Sequence, residues 1–482
     1  MPDLDNNQPI DLNDPAYQAM FLNLQGNILK GHGRDHTVHI FIKLDTGDVA
    51  NTRARLAAFA TKVVTSARQQ SIEAKEFHDF GIPGALFGNI FLTAKGYVAL
   101  GFTIEELKAA LIEEEDPSVL SNFLEGMQAH SDELNDPPPN EWDAGYREGE
   151  IDAMVLLADD DEHYLLRQAR LLINELQSFS RILVIERGNA LRRPDNDEGI
   201  EHFGYVDGRS QPIYLAAELA KEGDITKWNP FEPLKRVLVR DGNVADENCH
   251  GSFFVFRKLE QDVLRFKVRE QELADKLEFE GDERARAGAL AVGRFQDGTP
   301  VVLSQTDGFV PPKENNFKYD DDPKGFKCPF HAHIRKTNPR GESGDEAERR
   351  HRITRRGITY GRRNRHPDFS QALEDLPSTG VGLLFMCFQA SIATQFAFIQ
   401  KLWANNPGFL STDVGIDPVI GQSKSGSAPL EQKWPRQWGP QPDPSSGGTK
   451  PPDMDQFSFA GFVTMKGGEF FFAPSIPFLK GL

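Results

Sequence analysis

The chain has 482 residues, 39% of them hydrophobic and 26% charged, the composition of a soluble globular protein with length for two or three domains rather than of a disordered chain. Its 72 acidic and 54 basic residues leave a net charge of −18, a field that repels nucleic acids and anionic membranes, and no apolar run approaches the ~18 residues of a spanning helix. Three cysteines (Cys249, Cys328 and Cys387) argue against a disulfide framework, and the acidic N-terminus MPDLDNNQPIDLNDP carries no export signal, so a cytoplasmic location is expected.

In chain order, HTVHIFIKL (36–44) alternates at period two and predicts a half-buried strand, followed by an amphipathic helix over 48–68. GNIFLTAKGYVALGFT (88–103) predicts a hairpin turning near Lys95–Gly96. TIEELKAALIE opens with a threonine cap and an acidic turn, which starts a helix. A strand (152–160), a helix over HYLLRQARLLINELQSF and a strand (181–188) complete the first set. The second set runs from the strand 251–259 into a helix over 259–277. A buried strand (380–389), a helix (391–404) and a hairpin turning at Gly467–Gly468 follow. The element order repeats, which predicts two α+β halves, 1–200 and 201–482, each an antiparallel sheet with helices. Residues 134–150, 311–329 and 421–456 read as long loops. The 35 phenylalanines predict either a ring-rich core or a large apolar cavity.

Three stretches carry chemistry. In GYVDGRSQP, Asp207 between glycines is either a tight turn or a working carboxylate. CPFHAHIRKTNPR (328–340) joins Cys328, His331 and His333 to three cations. Zinc lacks a fourth ligand and the usual paired spacing there, one imidazole could hold another cofactor, and both histidines could be ordinary. HRITRRGITYGRR (351–363) gathers arginines within an acidic chain, either as a solvated basic face or to meet anionic groups.

Taken together and in this order, GYVDGRSQP, CPFHAHIRKTNPR, TRRGITYG, GLLFMCFQASI and WANNP resemble the dye-decolorizing peroxidase family of haem enzymes. LQGNILKGHGRDH (24–36) is similar to the longer cytosolic members. The resemblance implies two ferredoxin-like domains, with haem b, one per chain, held mainly by the C-terminal half. It implies His333 as the haem-iron ligand, Asp207 as the acid–base residue facing it, Arg355 as the partner of developing negative charge and Arg340 as the partner of a haem propionate. Leu383 and Phe385 would shape the pocket, Asp417 would hydrogen-bond the ligand histidine, and Tyr360 and Trp403 are similar to residues of surface oxidation. His331 stands where the family commonly has a small residue, and His333 is chosen by its spacing to NPR. The cationic residues around His333 would then serve the two propionates.

The implied activity is reduction of hydrogen peroxide with one-electron oxidation of organic reductants such as dyes and phenols. Free aspartic acid titrates near ~3.9 and histidine near ~6.5, so an aspartate base implies an acidic activity optimum. A haem storage or delivery protein without turnover is the competing reading, and a zinc module the third. The physiological reductant, Mn(II) included, and the oligomeric state stay open.

Overall fold

The computed structural model describes residues 2–111, 120–308, 315–367, 372–424 and 430–482. HTVHIFIKL forms β1 (His36–Leu44) with nearly every residue buried, because β1 is covered on both faces. The expected helix over 48–68 is two helices, α1 (Val49–Val63) and α2 (Ala67–Phe80). The break falls where the Ser66 hydroxyl accepts the Gln69 N–H at 3.0 Å and starts α2 afresh. β2 (Phe87–Leu92) is followed not by a hairpin turn but by the helix α3 (Ala94–Ala99), capped by Thr93. Gly96 is needed for close packing rather than for turning: a Cβ there would lie 2.0 Å from the Asp152 carbonyl oxygen. α4 (Ile104–Leu111) begins with the expected reciprocal cap, Thr103 N–H to Glu106 Oε2 at 2.7 Å and Glu106 N–H to Thr103 Oγ1 at 3.1 Å. The last residues of that expected helix lie outside the described residues.

β3 (Ala153–Asp159), α5 (Glu162–Leu176) and β4 (Ser180–Asn189) complete the first half. The second half supplies β5 (His250–Gln261), α6 (Val263–Lys276), β6 (Ile358–Tyr360), β7 (Gly382–Gln389) and β8 (Val463–Ala473). The expected hairpin at Gly467–Gly468 is a single strand, β8, whose register against β5 shifts between Met465 and Gly467. A Cβ on Gly467 would lie 2.3 Å from the Tyr146 ring, so this glycine admits a neighbour instead of reversing the chain.

The strands run in the order β6–β7–β5–β8–β2–β3–β1–β4, with Val239–Arg240 added to β5 and Thr354–Arg355 to β7. Within each half the order is fourth, first, third, second, the ferredoxin-like arrangement, with every ladder antiparallel. The two sets join edge to edge where β8 meets β2, Phe472 opposite Leu92. At the far ends, Thr359 Oγ1 donates to the Asn189 carbonyl and Ile358 packs on Gly188, so the ten strands curl into a barrel. The phenylalanines mostly fill the core under this sheet: Phe91 stacks on Phe254 at 4.2 Å and Phe41 meets Phe256 at 4.8 Å. Part of the 421–456 excursion is ordered structure. Gln432–Pro435 pairs with Met454–Phe457, and buried Trp434 joins a second core beside α6. Among the described residues no helix is long and apolar enough to cross a membrane.

Three of the buried histidines resist protonation. Among the described residues His39 has no hydrogen-bond partner on either ring nitrogen, and burial lowers it to about 3; His331 is lowered to about 3 and His202 to about 4 by the same cause. Below about pH 6.5 the unfolded chain takes up protons at these sites that the folded chain excludes. Stability is therefore full above that pH and falls as the pH drops toward the folded-state values, by up to ~1.4 kcal/mol per pH unit for each histidine. A melting temperature that declines steadily from pH ~6.5 to ~4 is expected in a thermal melt series; a flat profile would show that the imidazoles titrate freely.

Candidate active site

The stretch 320–342 contains one turn of helix, α7 (His333–Thr337), and is otherwise irregular. A buried carboxylate organises it. Asp322 accepts the N–H groups of Phe326 (2.8 Å), Lys327 (3.0 Å) and Cys328 (2.9 Å), and Nη1 of Arg335 (3.0 Å). Arg335 also pairs with Glu342, and its guanidinium lies between the rings of Tyr319 and Phe330 at 4.3 and 4.4 Å. This arginine is consumed in holding the loop. The same loop turns its two histidines apart. His331 packs edge-on against Trp434 at 4.3 Å, while His333 reaches a cavity.

His333 Nδ1 lies 2.8 Å from Asp417 Oδ2. The Asp417 side chain is fully buried, and its other oxygen accepts the N–H groups of Val419 (2.8 Å) and Ile420 (3.0 Å). Because the carboxylate takes the Nδ1 proton's hydrogen bond, Nε2 is the nitrogen left to act as a ligand. Cys328 lies in the second core, and among the described residues no three His, Cys, Asp or Glu side chains group as a metal site requires.

The cavity together with the open solvent at its mouth comprises about 1740 Å³ of atom-free space. Asp207, Arg355, Arg340, Leu383, Phe385 and His333 all line it. Gly208, at φ 86°, turns the chain immediately after Asp207. Asp207 Oδ1 accepts the Gly208 N–H at 2.7 Å and Nη1 of Arg355 at 2.8 Å. Arg355 is aimed by its short strand beside β7 and by Nη2 donating to the Arg209 carbonyl at 2.7 Å. Leu383 and Phe385 project from β7, and Leu259 from β5, as apolar wall.

Arg340 behaves differently from the other cations of its motif. It is buried, donates from Nη1 to the carbonyls of Asn315 (2.6 Å) and Phe317 (2.8 Å), and from Nη2 to Ser210 Oγ and Asn315 Oδ1 (2.8 Å each). Arg294, also buried and lining the cavity, shares Asn315 Oδ1 at 3.1 Å. Among the described residues no carboxylate pairs with either, and burial lowers Arg340 to about 9 and Arg294 to about 10. Arg294 escapes motif reading because it stands alone in AVGRFQDG; its one signal is a cation one glycine past the apolar run AGALAV.

Other expectations need correction. The cations of CPFHAHIRKTNPR do not gather on the cavity: of Arg335, Lys336 and Arg340, Arg340 alone lines it. Arg352 pairs with Glu232 at 2.6 Å, and Arg356 donates to the carbonyls of Asn27 (2.7 Å) and Ile28 (3.0 Å), which ties LQGNILKG to the cavity wall. Tyr360 and Trp403 are not surface residues. Tyr360 is 7% exposed in the closing strand of the barrel, and Trp403 is 5% exposed, stacked on Phe409 at 5.0 Å.

Two family descriptions match this chain: "DyP dimeric alpha+beta barrel domain" over residues 23–194 and "Dyp-type peroxidase, C-terminal" over 229–410. The multifunctional dye peroxidase DyP2 of Amycolatopsis sp. is 42% identical over 476 residues, 96% of each chain. The chain belongs to the dye-decolorizing peroxidase family. The crystal structure of an Anabaena sp. DyP-type peroxidase superposes with a TM-score of 0.87 at 39% identity, covering 99% of this chain and 98% of that one. A dye-decolorizing peroxidase in complex with 2,6-dimethoxyphenol superposes with a TM-score of 0.74 at 27% identity, over 95% and 98%. In this dye-decolorizing peroxidase the N-terminal match spans β1–β4 and the C-terminal match β5–β7, so both halves of the barrel belong to the family fold.

Removing the loop's organising carboxylate tests the local account. Asp322→Ala leaves three main-chain N–H groups without their acceptor and takes from the buried Arg335 one of its two carboxylates, a loss expected to cost ~3–5 kcal/mol. A clearly lower denaturant midpoint for the haem-free chain is the expected result; an unchanged midpoint would show that water or Glu342 replaces Asp322.

Proposed function

We propose that this family member binds haem b, one per chain, in the cavity lined by His333, Asp207 and Arg355. In this reading it reduces hydrogen peroxide and oxidises dyes and phenols by single electrons. The observation that carries the reading is a conjunction: an imidazole anchored by a buried carboxylate, an ion pair of Asp207 and Arg355, and two buried guanidinium groups with no carboxylate partner among the described residues, all on one cavity. The fit to haem is chemical. Nε2 of His333 would hold the haem iron, Arg340 and Arg294 would meet the propionates, and the apolar side chains would wall a flat ring. The haem supplies the redox chemistry by which the O–O bond is cleaved and electrons are accepted.

The chain's own groups do the rest. Asp207 takes a proton from one peroxide oxygen and delivers it to the other, a transfer that needs a carboxylate within hydrogen-bond reach of both. Arg355 holds Asp207 oriented and offers its guanidinium to the negative charge that grows on the departing oxygen. Asp417 fixes the ring plane and tautomer of His333. A storage or delivery protein needs a ligand and propionate partners but has no use for the Asp207–Arg355 pair. We place the enzyme in the cytoplasm, since Cys249, Cys328 and Cys387 are all free and buried, and the net charge of −18 disfavours a nucleic-acid or anionic-membrane partner.

Reconstitution with haem separates the roles. His333→Ala is expected to lose the Soret signature of the parent and its peroxidase turnover. Arg355→Leu and Asp207→Asn are expected to keep haem while kcat for a phenol falls by roughly 10²-fold or more. An unchanged ferric spectrum in His333→Ala, or full turnover in either of the other two, would remove that residue from the scheme.

A further inference from the structure

Lys336 lies one turn after His333 on α7, and its side chain is fully buried. Its Nζ donates to two main-chain carbonyls, Trp403 at 3.0 Å and Asn406 at 2.6 Å. Those carbonyls flank that of Ala404, which accepts the Asp417 N–H at 2.9 Å. Trp403 lies in the last turn of the π-helix Ile399–Ala404 and Asn406 just beyond it, where main-chain carbonyls have no partner within the helix and are open to such donors. One turn of chain therefore anchors both the cation on the His333 helix and the backbone of Asp417. The opposite charge that acts on Lys336 is that of Asp417 itself.

We propose that Lys336 is a positioning residue that limits how strongly Asp417 draws the Nδ1 proton of His333, and thereby raises the midpoint potential of haem iron bound at that ring. The inference rests on reading His333 as the ligand of the haem iron. A carboxylate that pulls the proton strongly gives the imidazole imidazolate character, makes Nε2 a better donor and favours ferric over ferrous iron. A fixed cation attracts the same carboxylate charge, weakens that pull and shifts the balance toward ferrous. Its two carbonyl bonds keep the cation in place and hold the π-turn, hence Asp417, at a set distance from the ring.

The test is a spectroelectrochemical titration of the haem-loaded chain. Lys336→Gln keeps hydrogen-bond donors for the carbonyls and removes the charge; a midpoint below the parent's and a stiffer ferrous iron–histidine stretch are expected. Lys336→Arg keeps the charge and is expected to stay near the parent. Asp417→Asn is expected to raise the midpoint, and Lys336→Gln added to it is expected to produce little further shift, because the carboxylate through which the lysine acts is gone. Burial lowers Lys336 to about 8, so the cycle is run in acid, where the amine carries its proton. A parent-like midpoint in Lys336→Gln overturns the inference. So does a Lys336→Arg midpoint that falls as far as the glutamine variant's, or a glutamine shift that persists in full with Asp417→Asn. An unchanged ferric spectrum in His333→Ala would instead sink the ligand assignment beneath it.

Discussion

The hydrogen bond between His333 and Asp417, 2.8 Å long and made by a carboxylate with no exposed surface, is the constraint on which the site depends. A buried carboxylate must be satisfied on every side, and Asp417 meets that demand with the ring nitrogen and two backbone N–H groups of its own turn. The imidazole is thereby held at a definite angle on a helix of only five residues. Asp322 does the same for the approach to that helix through three N–H groups and Arg335. Two buried acids thus give an irregular segment the rigidity that regular structure would otherwise provide.

Charge is distributed by demand rather than by proximity in sequence. The chain carries a net charge of −18, yet its cavity presents Arg294 and Arg340 with no carboxylate partner among the described residues, each held by carbonyl, hydroxyl and amide oxygens. Neutral acceptors satisfy the donors of a guanidinium without cancelling its charge, which leaves the field available to an anionic guest. Arg335 and Arg352 have ordinary acid partners and are spent on structure. Asp207 and Arg355 lie between these cases: paired, but about one-third exposed on a wall that a small reactant can reach.

Local patterning made much of the fold legible. The period-two run at 36–44 and the apolar runs at 152–160 and 380–389 contain strands, and the capping box at Thr103 starts a helix. The failures share a cause. Gly96 and the Gly467–Gly468 pair read as turns because glycine tolerates turning, but each is there because another atom occupies the space of a Cβ. That space is defined by Asp152 and Tyr146, which no window around the glycine contains. Trp434 was hidden for the same reason: its strand is short, within a Pro- and Gly-rich stretch, and its partner is twenty or so residues away.

The sequence alone determined most of the element types, their repeated order and the identity of the groups capable of the chemistry, because periodicity, capping and residue type are local properties. Tertiary structure decided which of those groups meet. His333 and Asp417 are 84 residues apart and Asp207 and Arg355 are 148 apart, and folding set one histidine of a neighbouring pair on the cavity and the other on Trp434. It also brought in Arg294, turned Arg335 away and buried Tyr360 and Trp403. Side-chain direction in an irregular segment follows from distant acceptors that satisfy buried polar groups, and those acceptors are placed only when the barrel closes.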